Sequence, residues 1–225
     1  MKSITVNENK ICFITCVNNE ELYEHSLRYI RKLTIPHGYE VETIAVEDAK
    51  SLTGGYNQGM QMSDAKYKVY LHQDVWILHQ NFVVDILELF HEHQNVGLIG
   101  VIGTKRIPQS GIWWESDQKE GKVVDSHTGT LALLDFQSTR EKITQVEAVD
   151  GLLFATQVDM KFRDDLFDGW HFYDISQCLE FQKKGYKVAV PYQMHPWCIH
   201  YCGRVDLTRY EEYRQIFINE YRKEN

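Results

Sequence analysis

The sequence predicts an α/β fold with a largely parallel central sheet, and two observations support this prediction. Short apolar segments of strand length alternate along the chain with longer amphipathic segments of helical period. Such an alternation is typical of parallel strands joined by helices that cover the sheet. The 225 residues contain no internal repeat, low-complexity tract or linker, so we expect one domain over residues 1–225.

The elements of the first half of the chain follow this alternation. Residues 10–17 are apolar and are predicted to form a strand, after which Asn18 or Asn19 can cap a helix. The other predicted elements are a strand at 39–48, a short helix at 56–65, a strand at 69–77, an amphipathic helix at 81–93 and a buried strand at 96–103.

The second half begins with an irregular stretch. Residues 104–128 contain Gly, Pro, Trp and charged residues without a period, and a connection of this length is commonly functional. The later predicted elements are strands at 128–136 and 146–157, a helix at 172–185 that ends on a glycine, a strand at 186–191 and a polar helix at 206–224.

Composition and charge exclude several classes of protein. The chain is 43% hydrophobic and 25% charged, which is typical of a globular protein and not of a disordered one. Its net charge of −8 argues against nucleic acid as the main partner. A nucleotide can still bind, because a metal ion neutralises a diphosphate locally.

The sequence also indicates a cytoplasmic location. The first ten residues lack the apolar core of a signal peptide, and no apolar run is long enough to predict a transmembrane segment. Five cysteines, an odd number, do not suggest a disulfide framework, so we expect reduced thiols.

The stretch VYLHQDVWI, residues 69–77, places polar side chains in an apolar strand. Residues two apart in a strand project to the same side, so His72 and Asp74 are expected to face one ligand. A buried carboxylate needs a partner, and a divalent cation with its diphosphate would satisfy Asp74. A turn cap or a lysine partner would also explain Asp74, and the spacing alone does not choose between these readings.

Three further patterns have both a functional and a structural interpretation. HPWCIHYCG, residues 195–203, contains two His and two Cys, but their spacing favours His200 as a single ligand over a closed zinc site. Asp174 and Gln177 are spaced like a capping box, which would explain Asp174 without chemistry. Trp113 and Trp114 suit either a platform for a sugar ring or an anchor for the loop, and the anchor is favoured.

Taken in order, several segments resemble the family 2-like glycosyltransferases of the GT-A fold. The resemblance covers residues 11 to 203, and it is closest to a small bacterial subgroup in which HQD replaces the usual DxD. The segments are GGYNQGMQMSDAKYKVYLHQDVWI, GIWWES, VDGLLFAT, FDGWHFYDISQCLEFQKKGYKVAVP and a late His before Gly.

The resemblance implies a role for each matching residue. Asp74 would bind Mn²⁺ or Mg²⁺ with His200 as a further ligand, and Asp174 would be the general base. Asp150 would lie where the acceptor site begins, together with the two tryptophans. The residues implied to contact the nucleotide-sugar are Val17, Glu47, Asp48, Asn57 and His72.

The implied activity is metal-dependent, inverting transfer of a sugar from a nucleotide-diphosphate sugar, with a UDP-sugar favoured, to a saccharide or lipid-linked acceptor. A surface glycan is the expected product. The alternative is a non-catalytic nucleotide-sugar or glycan-binding module on the same fold. A nucleotidylyltransferase is disfavoured, because the basic Gly-rich start of those enzymes is missing. Two departures from the family pattern are the single carboxylate of HQD and Cys202 where a small polar residue is expected.

Overall fold

A computed structural model describes residues 5–222, which form two β-sheets flanked by helices. The strands are β1 (Asn7–Val17), β2 (Glu40–Glu47), β3 (Ala65–Leu71), β4 (Val75–Ile77), β5 (Val96–Gly100), β6 (Ile102–Thr104), β7 (Lys119–Asp125), β8 (Ala132–Asp135), β9 (Ile143–Val146), β10 (Ala148–Val149), β11 (Leu153–Thr156), β12 (Lys187–Pro191) and β13 (Cys198–His200). The helices are α1 (Glu20–Ile30), α2 (Leu52–Met62), α3 (Phe82–Glu92), α4 (Tyr173–Lys183) and α5 (Tyr210–Tyr221), with one 3₁₀ turn at Trp113–Glu115.

The larger sheet has seven strands in the order β2-β1-β3-β11-β5-β12-β9. Strands β2, β1, β3, β5 and β12 run in the same direction, and only β11 and β9 run opposite to them. The prediction of a mostly parallel central sheet is therefore confirmed. Helix α2 packs against β1 and β2, α3 against β5, and α4 against β12.

The smaller sheet has six strands, with β10-β6-β7-β13-β4 in order and β8 paired to β7. Its strands continue those of the larger sheet after a residue or a short turn: β3 leads to β4, β5 to β6, and β9 to β10. We call the boundary where the chain passes between the two sheets the seam, and define it by residues 72–74, 101, 147 and 150–152.

The core lies between the sheets and their helices and is rich in aromatic residues. Tyr56 of α2 packs edge-on against Tyr70 of β3, with ring centroids 5.0 Å apart, and Phe162 lies 5.1 Å from Tyr70. All three side chains are fully buried. This cluster fixes α2 and the segment after β11 on the central strands, so that the ends of those strands are held in place.

Three sequence predictions about local structure are wrong. The run at 69–77 is not one strand, because it turns at residues 72–74 and enters the second sheet. The stretch at 104–128 is not only a loop, since it contains the 3₁₀ turn and β7. Asp174 does not cap its helix, because the residue at the N-cap is Phe172, with φ of 62°.

Other predictions hold. Asn19 caps α1 by accepting a hydrogen bond from the backbone N–H of Leu22 at 3.2 Å. Within residues 5–222, no helix is both long enough and apolar enough to cross a membrane. Residues 1–4 of the N-terminal segment and 223–224 of the predicted last helix lie outside the described part of the chain.

Candidate active site

A cleft of about 790 Å³ opens at the carboxyl ends of β1 and β2, beside the seam. Ligands of open α/β sheets bind at this edge because the strand ends and the following loops leave a crevice there. The predicted residues that line the cleft are Val17, Glu47, Asp48, His72 and Asp74. They come from three separate segments, so the fold brings together what the sequence separates.

Trp170 closes the cleft on another side, and no sequence pattern indicated it. The backbone N–H of Leu52, at the start of α2, donates to the carbonyl of Gly169 at 3.0 Å. This bond holds the 169–170 segment beside the loop that follows β2, where Asp48 has a positive φ of 55°. Trp170 stays 47% exposed, so a large aromatic face is available to a ligand.

The turn at residues 72–74 is fixed by backbone and side-chain hydrogen bonds. The N–H of His72 donates to the carbonyl of Leu152 at 3.0 Å, which joins two segments of the seam. The side chain of Gln73 contacts the loop after β1, where its Oε1 accepts from the N–H groups of Asn18 and Asn19 at 3.0 and 2.9 Å. The middle residue of HQD therefore ties the turn to the loop between β1 and α1.

Asp74, His72 and His200 converge at the cleft. Nε2 of His200 lies 3.6 Å from Oδ1 of Asp74 and 3.3 Å from Nδ1 of His72. Strand β13 pairs with β4 so that His200 is opposite Val75, which brings His200 beside the turn. The sequence expectation that His72 and Asp74 face one ligand is consistent with this arrangement.

The Oδ1 atom of Asp74 is buried and has no hydrogen-bond partner within the described chain. A buried carboxylate oxygen without a hydrogen bond is destabilising, and a bound cation at this position would satisfy it. Atoms that bind one cation at about 2.1 Å stand about 3.0–3.5 Å apart, close to the separations found here. The three side chains therefore fit a divalent cation.

A second carboxylate holds His200 from its far side. Oδ2 of Asp125 accepts a hydrogen bond from Nδ1 of His200 at 2.8 Å. Burial disfavours the charged imidazole, but the bond to Asp125 and the charge of Asp74 raise the pKa of His200 well above its ordinary value. Burial likewise opposes ionisation of Asp125, yet its bonds to His200 and His127 lower its pKa to about 2.

His72 has a different environment. Its Nε2 lies within hydrogen-bonding distance of the Tyr173 hydroxyl, at the start of α4. Burial and the neighbouring charge of His200 lower the pKa of His72 to about 4. A neutral His72 has one lone pair, and an N–H directed at Tyr173 would leave that lone pair on Nδ1, facing His200.

Two further carboxylates are Asp150, which belongs to the seam, and Asp174, in the first turn of α4. Asp174 reaches from the first turn of α4 to Gly151, whose N–H donates to Oδ2 at 2.9 Å. Burial and the charge of Asp150 raise the pKa of Asp174 to about 7. Burial also raises the pKa of Asp150, whereas His200 lowers it. A carboxyl group with a pKa near neutrality can accept and release a proton under ordinary conditions.

The two adjacent tryptophans have different surroundings. Trp113 is buried and lies against the carboxyl group of Asp150. Burial raises the pKa of Asp150, and a hydrogen bond from Trp113 partly lowers it. Trp114 is 45% exposed and packs on Tyr210 of α5, with ring centroids 5.3 Å apart. Tyr210 is half-buried, and the charge of Asp174 adds to the effect of burial in raising its pKa, so this aromatic pair is near Asp174.

The structure does not bring Asn57 to the cleft. Its amide donates to the carbonyl of Phe162 at 3.0 Å, and its Oδ1 accepts from the N–H of Phe162 at 2.8 Å. A buried amide needs both kinds of partner, and the backbone supplies them here. Asn57 thus anchors α2 to the segment after β11, away from the residues that line the cleft.

Sequence reasoning missed Asp125, Tyr173 and Trp170. Asp125 ends β7, and its only sequence signal is an acid after the alternating residues of KVVD, inside a stretch interpreted as a loop. Tyr173 and Trp170 belong to the segment GWHFYD, in which the sequence predicts a role for Asp174 alone. Contacts between distant segments, not local pattern, bring these residues to the site.

Comparison with known proteins gives a family and a fold. A family model described as "Glycosyltransferase like family" matches residues 12–221. No curated protein sequence matches the chain significantly.

Three solved structures have a similar fold at low sequence identity. The mannosyltransferase PcManGT from Pyrobaculum calidifontis, in complex with GDP-Man and Mn²⁺, is 13% identical, with a TM-score of 0.61 over 99% of this chain and 66% of that chain. TarS from S. aureus is 11% identical, with a TM-score of 0.60 over 93% of this chain and 39% of that chain. TarS 1–349 in complex with UDP is 10% identical, with a TM-score of 0.59 over 94% of this chain and 65% of that chain.

These likenesses confirm the predicted GT-A fold. The chain spans less than two thirds of the length of each of these structures, at 66%, 39% and 65%.

Proposed function

The chain belongs to the glycosyltransferase-like family, and on that basis we propose that it is a metal-dependent inverting glycosyltransferase of the HQD subgroup. It moves a hexosyl group from a nucleotide-diphosphate sugar to a hydroxyl acceptor in the synthesis of a surface glycan. One observation supports the proposal most directly: the unpartnered Oδ1 of Asp74 faces His72 and His200 at a cleft of about 790 Å³.

The donor lies in the cleft. Glu47 and Asp48, at the end of β2, bind the ribose and base of the nucleotide, and Val17 supports the nucleotide from the end of β1. The half-exposed indole of Trp170 provides a flat apolar face for the base or the sugar. PcManGT binds GDP-Man and TarS binds UDP-GlcNAc, so either base is possible in this fold, and we favour a UDP-sugar.

Asp74, His72 and His200 would hold a divalent cation at the donor cleft. The cation supplies Lewis-acid stabilisation of the charge on the departing nucleotide. Two imidazoles and one carboxylate suit Mn²⁺ better than Mg²⁺, which prefers oxygen ligands. The PcManGT complex contains Mn²⁺. We therefore propose Mn²⁺ as the preferred ion.

Asp174 is the general base in this proposal. The acceptor hydroxyl attacks the anomeric carbon, its proton passes to the Asp174 carboxylate, and the bond from the anomeric carbon to the diphosphate oxygen breaks. One displacement inverts the anomeric configuration. The raised pKa of about 7 keeps the carboxyl group basic enough to accept this proton.

The acceptor binds next to Asp174 and Asp150, which are not among the residues that line the donor cleft. Asp150 lies beside Asp174 and can orient a sugar hydroxyl, and buried Trp113 supports Asp150. Near Asp174, the exposed indole of Trp114 packs on the half-buried ring of Tyr210, and an exposed aromatic face of this kind can stack against the apolar face of a sugar ring. We therefore propose a saccharide acceptor, either free or lipid-linked.

The proposal extends to domain organisation and location. Residues 1–225 form one catalytic domain, and the enzyme acts in the cytoplasm. All five cysteines, each within residues 5–222, have free thiols, which is usual for proteins of a reducing compartment.

The test combines donor binding and slow donor hydrolysis. UDP-, GDP- and dTDP-sugars are offered with Mn²⁺ or EDTA to the wild type, Asp74→Ala and Asp174→Asn. We expect one donor to bind only with Mn²⁺, Asp74→Ala to lose that binding, and Asp174→Asn to bind but turn over about 10²–10⁴-fold more slowly.

Binding that ignores both Mn²⁺ and Asp74 would contradict the metal-dependent mechanism. Donor binding with no hydrolysis and no transfer to any acceptor saccharide, in the wild type as in Asp174→Asn, would favour the alternative of a binding module. The bond between Asp174 and Gly151 is the observation that favours that alternative, because it gives Asp174 a structural role.

A further inference from the structure

Asp125 lies outside the predicted site, yet it is the closest charged partner of His200. We infer that Asp125 is a positioning residue, which fixes the ring and the tautomer of His200 so that Nε2 is free to bind the cation. This inference rests on the proposed cation site and adds a residue to it that neither the sequence nor the comparisons indicate.

The strand register makes this pairing. Strands β13 and β7 are parallel, and His200 is directly opposite Asp125 in their register. The carbonyl of His200 also accepts from the N–H of Ser126 at 3.2 Å. On the other edge of β13, His200 is opposite Val75. The backbone of His200 is therefore held on both sides, next to the turn that contains Asp74.

The hydrogen-bond chemistry then determines which ring nitrogen is available. An ionised carboxylate only accepts hydrogen bonds, so Nδ1 of His200, at 2.8 Å from Oδ2 of Asp125, must hold a proton. His200 has to be neutral to bind a metal, and a neutral imidazole has one N–H and one lone pair, so in that form the lone pair is on Nε2. Nε2 is the atom 3.6 Å from Oδ1 of Asp74, within the cation site.

Asp125 is itself kept in place and ionised. It is 7% exposed, and its Oδ1 accepts from the backbone N–H of His127 at 2.7 Å and from the ring Nδ1 of His127 at 2.6 Å. One oxygen is thus anchored to its own chain segment while the other faces His200. A carboxylate that orients a metal-binding histidine in this way commonly raises metal affinity 10- to 100-fold.

The decisive measurement is the dissociation constant for Mn²⁺, determined by electron paramagnetic resonance of free Mn²⁺ without any donor. Asp125→Asn keeps the size of the side chain but removes its charge, and we expect a 10- to 100-fold weaker affinity. Asp117→Asn is the matched control, because it makes the same change at an exposed carboxylate just before β7. We expect its affinity to stay within about twofold of the wild type.

Thermal unfolding without metal separates positioning from a merely structural role. A structural role would lower the unfolding midpoint of Asp125→Asn but leave the Mn²⁺ affinity of the folded protein unchanged, and that result overturns the inference. If wild-type binding is lost in Asp74→Ala and kept in Asp125→Asn, this inference fails alone. If the wild type binds no Mn²⁺, the metal-dependent mechanism fails and this inference fails with it.

A second measurement needs no variant at Asp125. In the wild type saturated with Zn²⁺, which is diamagnetic and binds imidazole nitrogens, two-bond ¹H–¹⁵N spectra report which ring nitrogen of His200 is protonated, with His200→Gln used to assign the signal. We expect a proton on Nδ1 and none on Nε2. A proton on Nε2 with a bare Nδ1 would overturn the inference even if Asp125→Asn does not fold.

Discussion

Asp174 supports the backbone of Gly151: its Oδ2 accepts the Gly151 N–H at 2.9 Å across the seam. The same carboxyl group has a pKa raised to about 7, mainly by burial and then by Asp150. One side chain therefore links the start of α4 to the turn between β10 and β11 and remains able to exchange a proton.

Asp174→Asn is expected to be more stable than the wild type at pH 8 while losing turnover. The folded pKa of about 7 lies above the ordinary value for aspartate, so the contribution of this group to stability is present at low pH and is lost as pH rises from about 4 to 7. An amide keeps an acceptor for Gly151 but never ionises. Thermal unfolding should give Asp174→Asn a midpoint a few degrees above that of the wild type at pH 8, and a smaller difference at pH 5. A midpoint loss at pH 8 would contradict this prediction.

Asp150→Asn is expected to shift the pH dependence of activity. The charge of Asp150 raises the pKa of Asp174, so removing it lowers that pKa and leaves the base ionised in more acidic solution. The acidic limb of kcat/KM, near pH 7 in the wild type, should move to lower pH. Glu115→Gln, an exposed acid on the same loop as Trp114, is the control and should leave the limb in place. An unmoved limb in Asp150→Asn would mean that the two carboxyl groups titrate independently.

Asp74→Asn is expected to abolish stabilisation by Mn²⁺. At 100 times the dissociation constant, a ligand that binds only the folded state stabilises it by about 2.7 kcal/mol, which corresponds to several degrees. The wild type should show this rise in its unfolding midpoint, as should Asp117→Asn, which changes an exposed acid in the same way. Because Oδ1 of Asp74 is buried without a partner, the metal-free variant should unfold no earlier than the metal-free wild type. Equal stabilisation of both variants would place the ion elsewhere.

Trp170→Ala and Trp114→Ala are expected to affect different substrates. The two indoles are similarly exposed, at 47% and 45%, but only Trp170 lines the cleft. Trp170→Ala should raise the dissociation constant of the donor roughly 10-fold, as for loss of about 1.4 kcal/mol of stacking. Trp114→Ala should leave donor binding unchanged and raise the KM for a saccharide acceptor. Calorimetry with donor alone, followed by transfer kinetics, distinguishes the two. If Trp114→Ala weakened donor binding and Trp170→Ala raised only the acceptor KM, the proposed positions of donor and acceptor would have to be exchanged.

Local sequence pattern was sufficient to locate several strands and helices along the chain. Apolar runs of strand length correspond to β1, β2 and β5, and Asn19 caps α1 as its position suggested. These features depend on neighbours in the sequence, so they can be predicted from it. Even in the HQD segment, the polar residues marked a strand end correctly, although the following apolar residues belong to another sheet.

Long-range pairing was not predictable in the same way. Asp125 faces His200 only because β7 and β13 are neighbours, and no local pattern of KVVD or CIH specifies that neighbour. Asn57 shows the opposite error, since a polar residue near a motif is used to hold Phe162. A polar side chain has the same sequence signature whether its partner is a backbone group or a ligand.

The turn at 72–74 has a consequence for how this protein can evolve. Its backbone contacts are made by main-chain atoms: His72 N–H to Leu152, Val75 N–H to His72, and Tyr201 N–H to the carbonyl of Asp74. None of these bonds requires a particular side chain at positions 72 or 74. The main-chain atoms of residues 72 and 74 hold the turn, whereas their side chains face the cation site. Selection can exchange one set of cation-binding side chains for another at this turn without rebuilding the scaffold beneath it.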